Sequence, residues 1–181
     1  MGATTVDVRA LVEGHQPATP REAAAREQFL AELARLDAPC DEGADPTHVT
    51  ASALVVGPRG TVLHRHKRLH FWMQPGGHID AGETPPEAAR REASEELGLA
   101  VAHPGSGPRL VQLDVHRAAR GHTHLDLRYL LLGADEDPEP PPGESPEARW
   151  FGWEEAIAVA DADAGLTDAL RLARAAFEEA P

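Results

Sequence analysis

The sequence predicts an α/β layered domain preceded by a helical extension. Three observations predict this class: segments that alternate like strands, segments with apolar residues at helical spacing, and the interleaving of the two along the chain. The chain has 181 residues, of which 41% are hydrophobic. That length and composition suffice for one domain with a substantial core.

Residues 1–46 have the pattern of an N-terminal helical extension. A capping box begins a helix at Thr19, and proline occupies the first helical position. Apolar side chains then recur at helical spacing: Phe29, Leu33 and Leu36. Because prolines, glycine and aspartates interrupt the pattern after this helix, we expect the main domain to comprise residues 47–181.

The main domain is predicted to interleave strands and helices. Strands are expected at residues 49–56, 61–64, 110–115, 123–132 and 149–152, with a short extended segment within 73–79. Helices are expected at residues 84–97, 154–159 and 166–177. The first of these has a complete set of end signals, with a capping box at Thr84 and a C-terminal Gly98. The acidic, proline-rich stretch 134–148 is predicted to be a surface loop.

The charge and cysteine content exclude several function classes. With 30 acidic and 17 basic residues, the net charge of -13 argues against generic attraction to nucleic acid. Polyanionic substrates remain possible, because a bound divalent cation can reverse the local charge. The lone Cys40 excludes a disulfide within the chain. No membrane-length apolar segment or secretory signal is present, so we expect a cytoplasmic protein with no membrane partner.

Three glutamates in the predicted helix 84–97 form a candidate cation site. Glu92, Glu95 and Glu96 share one helical face, where their charges repel. Mg²⁺ would remove that repulsion, since it prefers oxygen ligands and shares its shell with substrate phosphates. Such a cluster suits metal-assisted hydrolysis of a phosphate ester or anhydride. The alternative is an ordinary solvated acidic face, because exposed glutamate is the norm.

The spacing of these residues resembles the Nudix box, G-x5-E-x7-R-E-U-x-E-E-x-G-U, where U is aliphatic. Its fixed positions are matched by Gly77, Glu83, Arg91, Glu92, Glu95, Glu96 and Gly98. Ala93 and Leu99 fill the aliphatic positions. The resemblance implies a Nudix-type α/β/α sandwich with a mixed β-sheet. It also implies hydrolysis of a nucleoside diphosphate linked to another moiety.

The resemblance also assigns roles to individual residues. It implies that Mg²⁺ or Mn²⁺ is ligated by Glu92, Glu95 and Glu96, with the carbonyl of Gly77. It implies that Glu83 and Arg91 interact and hold the loop against the helix. The general base is either a box glutamate or a glutamate in the loop before the last strand. The loop candidates are Glu144 and Glu147, each of which has the alternative of being a solvated carboxylate.

Two further groups of polar residues are candidate substrate contacts. Arg65, Lys67 and Arg68 follow the second predicted strand, where they could meet phosphates or form an exposed turn.

On the strand at 123–132, the side chains of His124, Asp126 and Arg128 share one face, together with His122 just before it. This face either lines the substrate cleft or lies at a solvent edge, and convergence of polar groups favours the cleft. Asp126 could then support a metal and Arg128 could clamp a phosphate. Histidines without thiolates are weak evidence for zinc.

The predicted function is that of a Mg²⁺-dependent pyrophosphohydrolase acting on a small nucleotide or nucleoside diphosphate derivative. Two alternatives share the fold: a non-catalytic nucleotide sensor and an isopentenyl-diphosphate isomerase. Sensors usually lose box carboxylates, whereas this chain keeps them all. The isomerase would need a catalytic cysteine near Gly76. The sequence does not select among ADP-ribose-like, nucleotide-sugar-like and CDP-alcohol-like molecules and nucleoside triphosphates as the substrate. It also leaves open whether the protein forms a homodimer through the N-terminal helix.

Overall fold

A mixed β-sheet lies at the centre of the computed structural model, which describes residues 5–68, 70–160 and 163–179. The strands in these ranges are β1 Thr47–Gly57, β2 Gly60–Arg65, β3 Trp72–Met73, β4 Gly76–His78, β5 Val101–Ala102, β6 Arg109–Arg117, β7 Thr123–Gly133 and β8 Ala148–Phe151. The α-helices are α1 Thr5–Gly14, α2 Pro20–Leu33, α3 Pro85–Leu97, α4 Trp153–Val159 and α5 Ala164–Glu178. None of the helices in the described ranges is long and apolar enough to cross a membrane.

Two long parallel strands organise the sheet. Strands β1 and β7 run side by side from the pair Thr47–Thr123 to the pair Val56–Leu132. On its other edge β1 pairs antiparallel with both β2 and β4. Strand β7 pairs antiparallel with β6 and β5, and β2 pairs antiparallel with β3 and β8. Strand β7 therefore lies inside the sheet, and the predicted mixed topology is confirmed.

Helices cover both faces of the sheet, as an α/β/α sandwich requires. Alternate β1 residues such as Val49 and Val55 belong to the apolar cluster that includes α1, α2 and α3. The intervening residues Leu54 and Val56 belong to a second cluster with α4 and α5. Because successive strand residues point to opposite faces, one strand contributes to both halves of the core.

The N-terminal extension is packed into the same core as the main domain. Helix α2 begins after Thr19, whose hydroxyl accepts a hydrogen bond from the Glu22 N–H at 3.1 Å. Phe29 and Leu33, predicted to lie on its apolar face, are at most 2% exposed and join the cluster around α3. Helix α1, which the sequence did not separate from α2, adds Val8 to this cluster. Residues 1–4 of the extension lie outside the described residues.

The remaining predicted elements are present with small shifts at their ends. The segment expected within 73–79 forms two short strands, β3 and β4, with Pro75 between them. Strand β5 was not expected, because two residues carry no readable period. The stretch 134–147 contains no helix or strand, as its acidic, proline-rich composition predicts.

Candidate active site

Helix α3 places the three glutamates at the edge of the core. Ala88, Ala89, Ala93 and Leu97 are fully buried on its apolar face. The Glu92 and Glu96 side chains, only 18% and 19% exposed, lie beside this face, whereas Glu95 is 58% exposed. The helix ends at Gly98, whose φ of 58° is left-handed. The local end signals therefore set the position of the carboxylates.

Gly76 and Gly77, at the start of strand β4, lie directly against these carboxylates. Strand β4 pairs with β1 through Gly77 and Ala51, which brings the two glycines alongside α3. A Cβ at Gly77 would lie 2.6 Å from the Glu92 Cδ, so any larger residue there would displace the Glu92 carboxylate. The Gly76 N–H donates to Glu96 Oε2 at 2.9 Å. The structure thus brings Gly77, Glu92 and Glu96 together, which the resemblance assigns to one site.

Arg91 connects the loop before α3 to the glutamate face. Its Nε donates to Glu83 Oε1 at 3.0 Å, and its Nη2 donates to Glu83 Oε2 at 3.0 Å. The same Nη2 donates to the His78 carbonyl at 2.9 Å, while Nη1 donates to Glu92 Oε1 at 2.8 Å. The hydrogen bonds that Arg91 donates to Glu83, followed by the one that it donates to Glu92, raise the pKa of Arg91 above its ordinary value. The Glu83–Arg91 contact implied by the resemblance is present.

Burial disfavours the charged form of two glutamates in the Nudix box. Burial raises the pKa of Glu96 to about 7. The hydrogen bond from the Gly76 N–H acts in the opposite direction, whereas repulsion from Glu92 and Glu144 raises this pKa further. The pKa of Glu92 is also raised, because burial outweighs its attraction to Arg91. A divalent cation would favour the charged form of both groups. Carboxylate oxygens are the ligands that Mg²⁺ prefers, so the chemistry of Glu92, Glu95 and Glu96 fits that ion.

The predicted basic turn and the predicted base loop contact each other. Arg65 Nη1 lies 3.1 and 3.0 Å from the two carboxylate oxygens of Glu147. Lys67 Nζ lies 3.3 Å from Glu144 Oε2 and also donates to the Gly143 carbonyl. Arg68 is exposed in the same turn. Lys67 and Glu144 both influence the pKa of Glu96, which places them near the box.

The polar face of β7 is a buried hydrogen-bond network. Asp126 accepts from Thr50 Oγ1 at 3.0 Å and from Ser52 Oγ at 2.7 Å. Arg128, 2% exposed, donates to three side chains: Asp126 at 3.1 Å, Gln112 at 2.9 Å and Asp114 at 3.0 Å. Because mutual pairing satisfies these groups, a buried sheet face tolerates them.

This placement bears on three expectations for the β7 face. The solvent-edge alternative is wrong, because β7 lies between β1 and β6. The structure also does not support the predicted contact of Arg128 with a substrate phosphate, since its donors are directed at buried partners. Likewise Asp126, 2% exposed, accepts hydrogen bonds from Arg128 and two hydroxyls, which favours a structural role over metal support.

His124, the third predicted residue on this face, lies in a cluster of imidazoles. Its ring centroid is 5.0 Å from that of His48 on β1 and 5.7 Å from that of His78 on β4. Burial lowers the pKa of His124 to about 4 and lowers that of His48 as well. His48 was not predicted to be a site residue. The sequence signal for His48 is that it lies on the same face of β1 as the polar residues Thr50 and Ser52.

His64 is a second residue beside the box that was not predicted as a site residue. It lies on β2, 6% exposed, with its Nε2 3.8 Å from Glu96 Oε2. Burial lowers its pKa to about 4. A neutral imidazole therefore borders the buried side of Glu96, and the pairing of β2 with β1 that places it there could not be read from local sequence.

A mixed sheet between helical layers, with a glutamate-lined loop–helix–loop at its edge, defines the class of Nudix-fold proteins. The NUDIX domain profile matches residues 46–172. The chain therefore belongs to the Nudix family.

The curated relatives of this chain are named for different activities. It is 40% identical to an octanoyltransferase from Myxococcus xanthus over 90 residues, which cover 46% of this chain and 22% of that protein. It is 32% identical to the asymmetrical bis(5'-nucleosyl)-tetraphosphatase of Rattus norvegicus over 105 residues, covering 55% of this chain and 67% of that protein. The chain thus spans only part of the length of these curated relatives.

A solved structure of a NUDIX-family hydrolase from Clostridium perfringens is also similar. It superimposes with a TM-score of 0.57 at 28% sequence identity, covering 72% of this chain and 96% of that chain. The likeness therefore extends over almost the whole of that smaller structure.

Proposed function

We propose that this protein is a Mg²⁺-dependent pyrophosphohydrolase that cleaves a diphosphate linkage in a small nucleotide or nucleoside diphosphate derivative. The observation that carries the proposal is the convergence of Glu92 and Glu96 on Gly76 and Gly77 of strand β4, with Glu95 on the same helix as the two glutamates. The proposed organisation is an extension, residues 1–46, and a Nudix hydrolase domain, residues 47–181.

The carboxylates of Glu92, Glu95 and Glu96 and the carbonyl of Gly77 would hold Mg²⁺ or Mn²⁺. When bound, the metal supplies charge compensation for phosphoryl oxygens and lowers the pKa of the attacking water. The protein's own contribution is rigidity. Arg91 ties Glu83, the His78 carbonyl and Glu92 together, so the loop and helix keep their spacing as the substrate charge arrives. Preorganisation of this kind lowers the cost of reorganisation in the transition state.

We propose Glu144 ahead of Glu147 as the loop candidate for the general base. Glu144 is close enough to the box for its charge to raise the pKa of Glu96. Both oxygens of Glu147 instead accept from Arg65. A box glutamate remains the other candidate. Arg65, Lys67 and Arg68 lie in the turn that meets this loop, and we propose that they contact substrate phosphates there.

A substrate panel tests the proposal. The panel should include dinucleoside polyphosphates, because the rat relative is named for that activity. It should also include ADP-ribose, nucleotide sugars, CDP-alcohols and nucleoside triphosphates, with products identified after reaction in ¹⁸O-labelled water. We expect Mg²⁺-dependent cleavage with ¹⁸O in one phosphate product. Tight nucleotide binding with no turnover across the panel would instead support the non-catalytic sensor.

A further inference from the structure

Three strands bring three histidines together at one end of the sheet. His48 lies on β1, His78 on β4 and His124 on β7, and one ring nitrogen from each lies within 4.8 Å of the other two. The ring centroids of His48 are 5.0 Å from those of both His78 and His124. None of these side chains belongs to the carboxylate site on α3.

His48 is the buried member of this group. Its side chain is 1% exposed, and its Nδ1 lies 3.2 Å from the Asp45 carbonyl oxygen. A carbonyl can only accept, so Nδ1 carries the proton and Nε2 is left as an acceptor. That Nε2 is buried and has no hydrogen-bond partner. Leaving a buried acceptor without a hydrogen bond is costly. Metal-ligating histidines are usually oriented by a hydrogen bond that the other ring nitrogen donates to a carbonyl, as Nδ1 does here.

The donor set selects the class of ligand. Neutral imidazoles suit Zn²⁺, Co²⁺, Ni²⁺ or Cu²⁺, whereas Mg²⁺ prefers oxygen. Burial lowers the pKa of His48 and of His124, which favours the neutral imidazoles that ligate a metal over the cations that would attract an anion. Glu42 Oε2, 3.2 Å from His78 Nε2, adds negative charge at the rim. At metal–nitrogen distances of about 2.0–2.1 Å, tetrahedral ligands lie about 3.4 Å apart, so binding would draw the rings together by about an ångström.

We propose that His48, His78 and His124 form a transition-metal site, separate from the carboxylate site, that binds Zn²⁺ or Co²⁺ through three imidazoles. Three protein ligands leave a fourth position open for water or a substrate oxygen. The site adjoins Gly76 and Gly77, because His78 follows them directly in strand β4. The proposal goes beyond the proposed hydrolase activity and does not depend on it.

Titration of the full-length, metal-free protein with Co²⁺ in excess Mg²⁺ tests this site. We expect one Co²⁺ per chain, with the strong visible absorption of a tetrahedral nitrogen-ligated ion. Because His78 and His124 are partly exposed, His78→Asn and His124→Asn can be made without opening the core. Each should weaken Co²⁺ binding by at least about 10–100-fold, the range measured even for the loss of groups that merely orient a ligand.

Two matched variants separate this site from other cation sites. His70→Asn removes an exposed histidine outside the cluster and should leave Co²⁺ affinity unchanged. Glu95→Gln alters the carboxylate site and should also retain the tetrahedral spectrum. Circular dichroism checks the fold of each variant.

A second measurement needs no variant. Zn²⁺ in excess Mg²⁺ should raise the Tm of the unmodified protein, since a ligand that binds only the folded state stabilises it. Absence of both the Co²⁺ spectrum and the Zn²⁺-dependent rise in Tm would overturn the proposal. So would Co²⁺ binding that is unchanged in both histidine variants or lost only in Glu95→Gln.

Discussion

Replacing Arg128 with methionine should destabilise the fold strongly. Methionine retains much of the apolar volume of the side chain but leaves Asp114 and Asp126 buried without their shared cation. Removing one partner of a buried ion pair costs about 3–5 kcal/mol. We expect the lower end, because Asp114 keeps Arg21 and His116 and Asp126 keeps two hydroxyl donors. For a chain of this size, that loss lowers the Tm by about 6–12 °C.

Urea unfolding followed by tryptophan fluorescence measures this loss directly. Arg21→Met is the matched control, because Arg21 contacts the same Asp114 at 2.9 Å but is 45% exposed. Because the Arg21 side chain is half-exposed and Asp114 keeps Arg128 and His116, the control should cost much less than Arg128→Met, about 1 kcal/mol. If Arg128→Met kept its stability and instead raised the KM for a phosphate substrate, the structural assignment would be refuted and the predicted phosphate contact restored.

Three further predictions concern the carboxylate site and the extension. Glu95→Gln and Glu96→Gln should each lower kcat by about 10²–10³-fold without unfolding the chain, and unchanged kinetics at saturating Mg²⁺ would contradict the metal assignment. Gly77→Ala should lower kcat by about 100-fold, because its Cβ displaces the Glu92 carboxylate that lies 2.6 Å away; a wild-type rate would show that this approach is unimportant. Glu22→Gln should lower the free energy of unfolding, measured in urea, by about 1–3 kcal/mol at pH 7 and by progressively less below pH 4.5. A loss at pH 3 as large as that at pH 7 would contradict this prediction.

The pH dependence at Glu22 follows from its contacts. Burial alone would raise the pKa of this carboxyl, but hydrogen bonds from His15, Ala18 and the Leu113 N–H lower it below its ordinary 4.5. A lowered folded-state pKa means that the unfolded chain binds more protons as the solution is acidified. The stabilisation is therefore complete above pH 4.5 and is lost as the pH falls through the folded-state pKa.

The extension could be predicted as helical, but its packing could not. The capping box at Thr19 and the spacing of Phe29 and Leu33 are local signals, and α2 begins where they indicate. One contact that joins α2 to the sheet is the hydrogen bond that the Leu113 N–H donates to the Glu22 carboxylate, 91 positions away in the chain. No local period encodes a pairing over that distance. Helix α2 therefore reads as an extension in the sequence and is part of the core in the structure.

The sequence by itself determined helix α3, its ends and the glutamates on one face, because capping residues and side-chain spacing act within a few turns of the chain. Only the tertiary structure decided which polar groups are paired with other residues of the protein and which are available to a ligand. It buried Arg128 among carboxylates, paired Arg65 with Glu147, and brought His48 to His78 and His124. These outcomes depend on strand order and register, which are set by the whole core. A strand's alternation shows which residues share a face, whereas its neighbours in the sheet decide what that face meets.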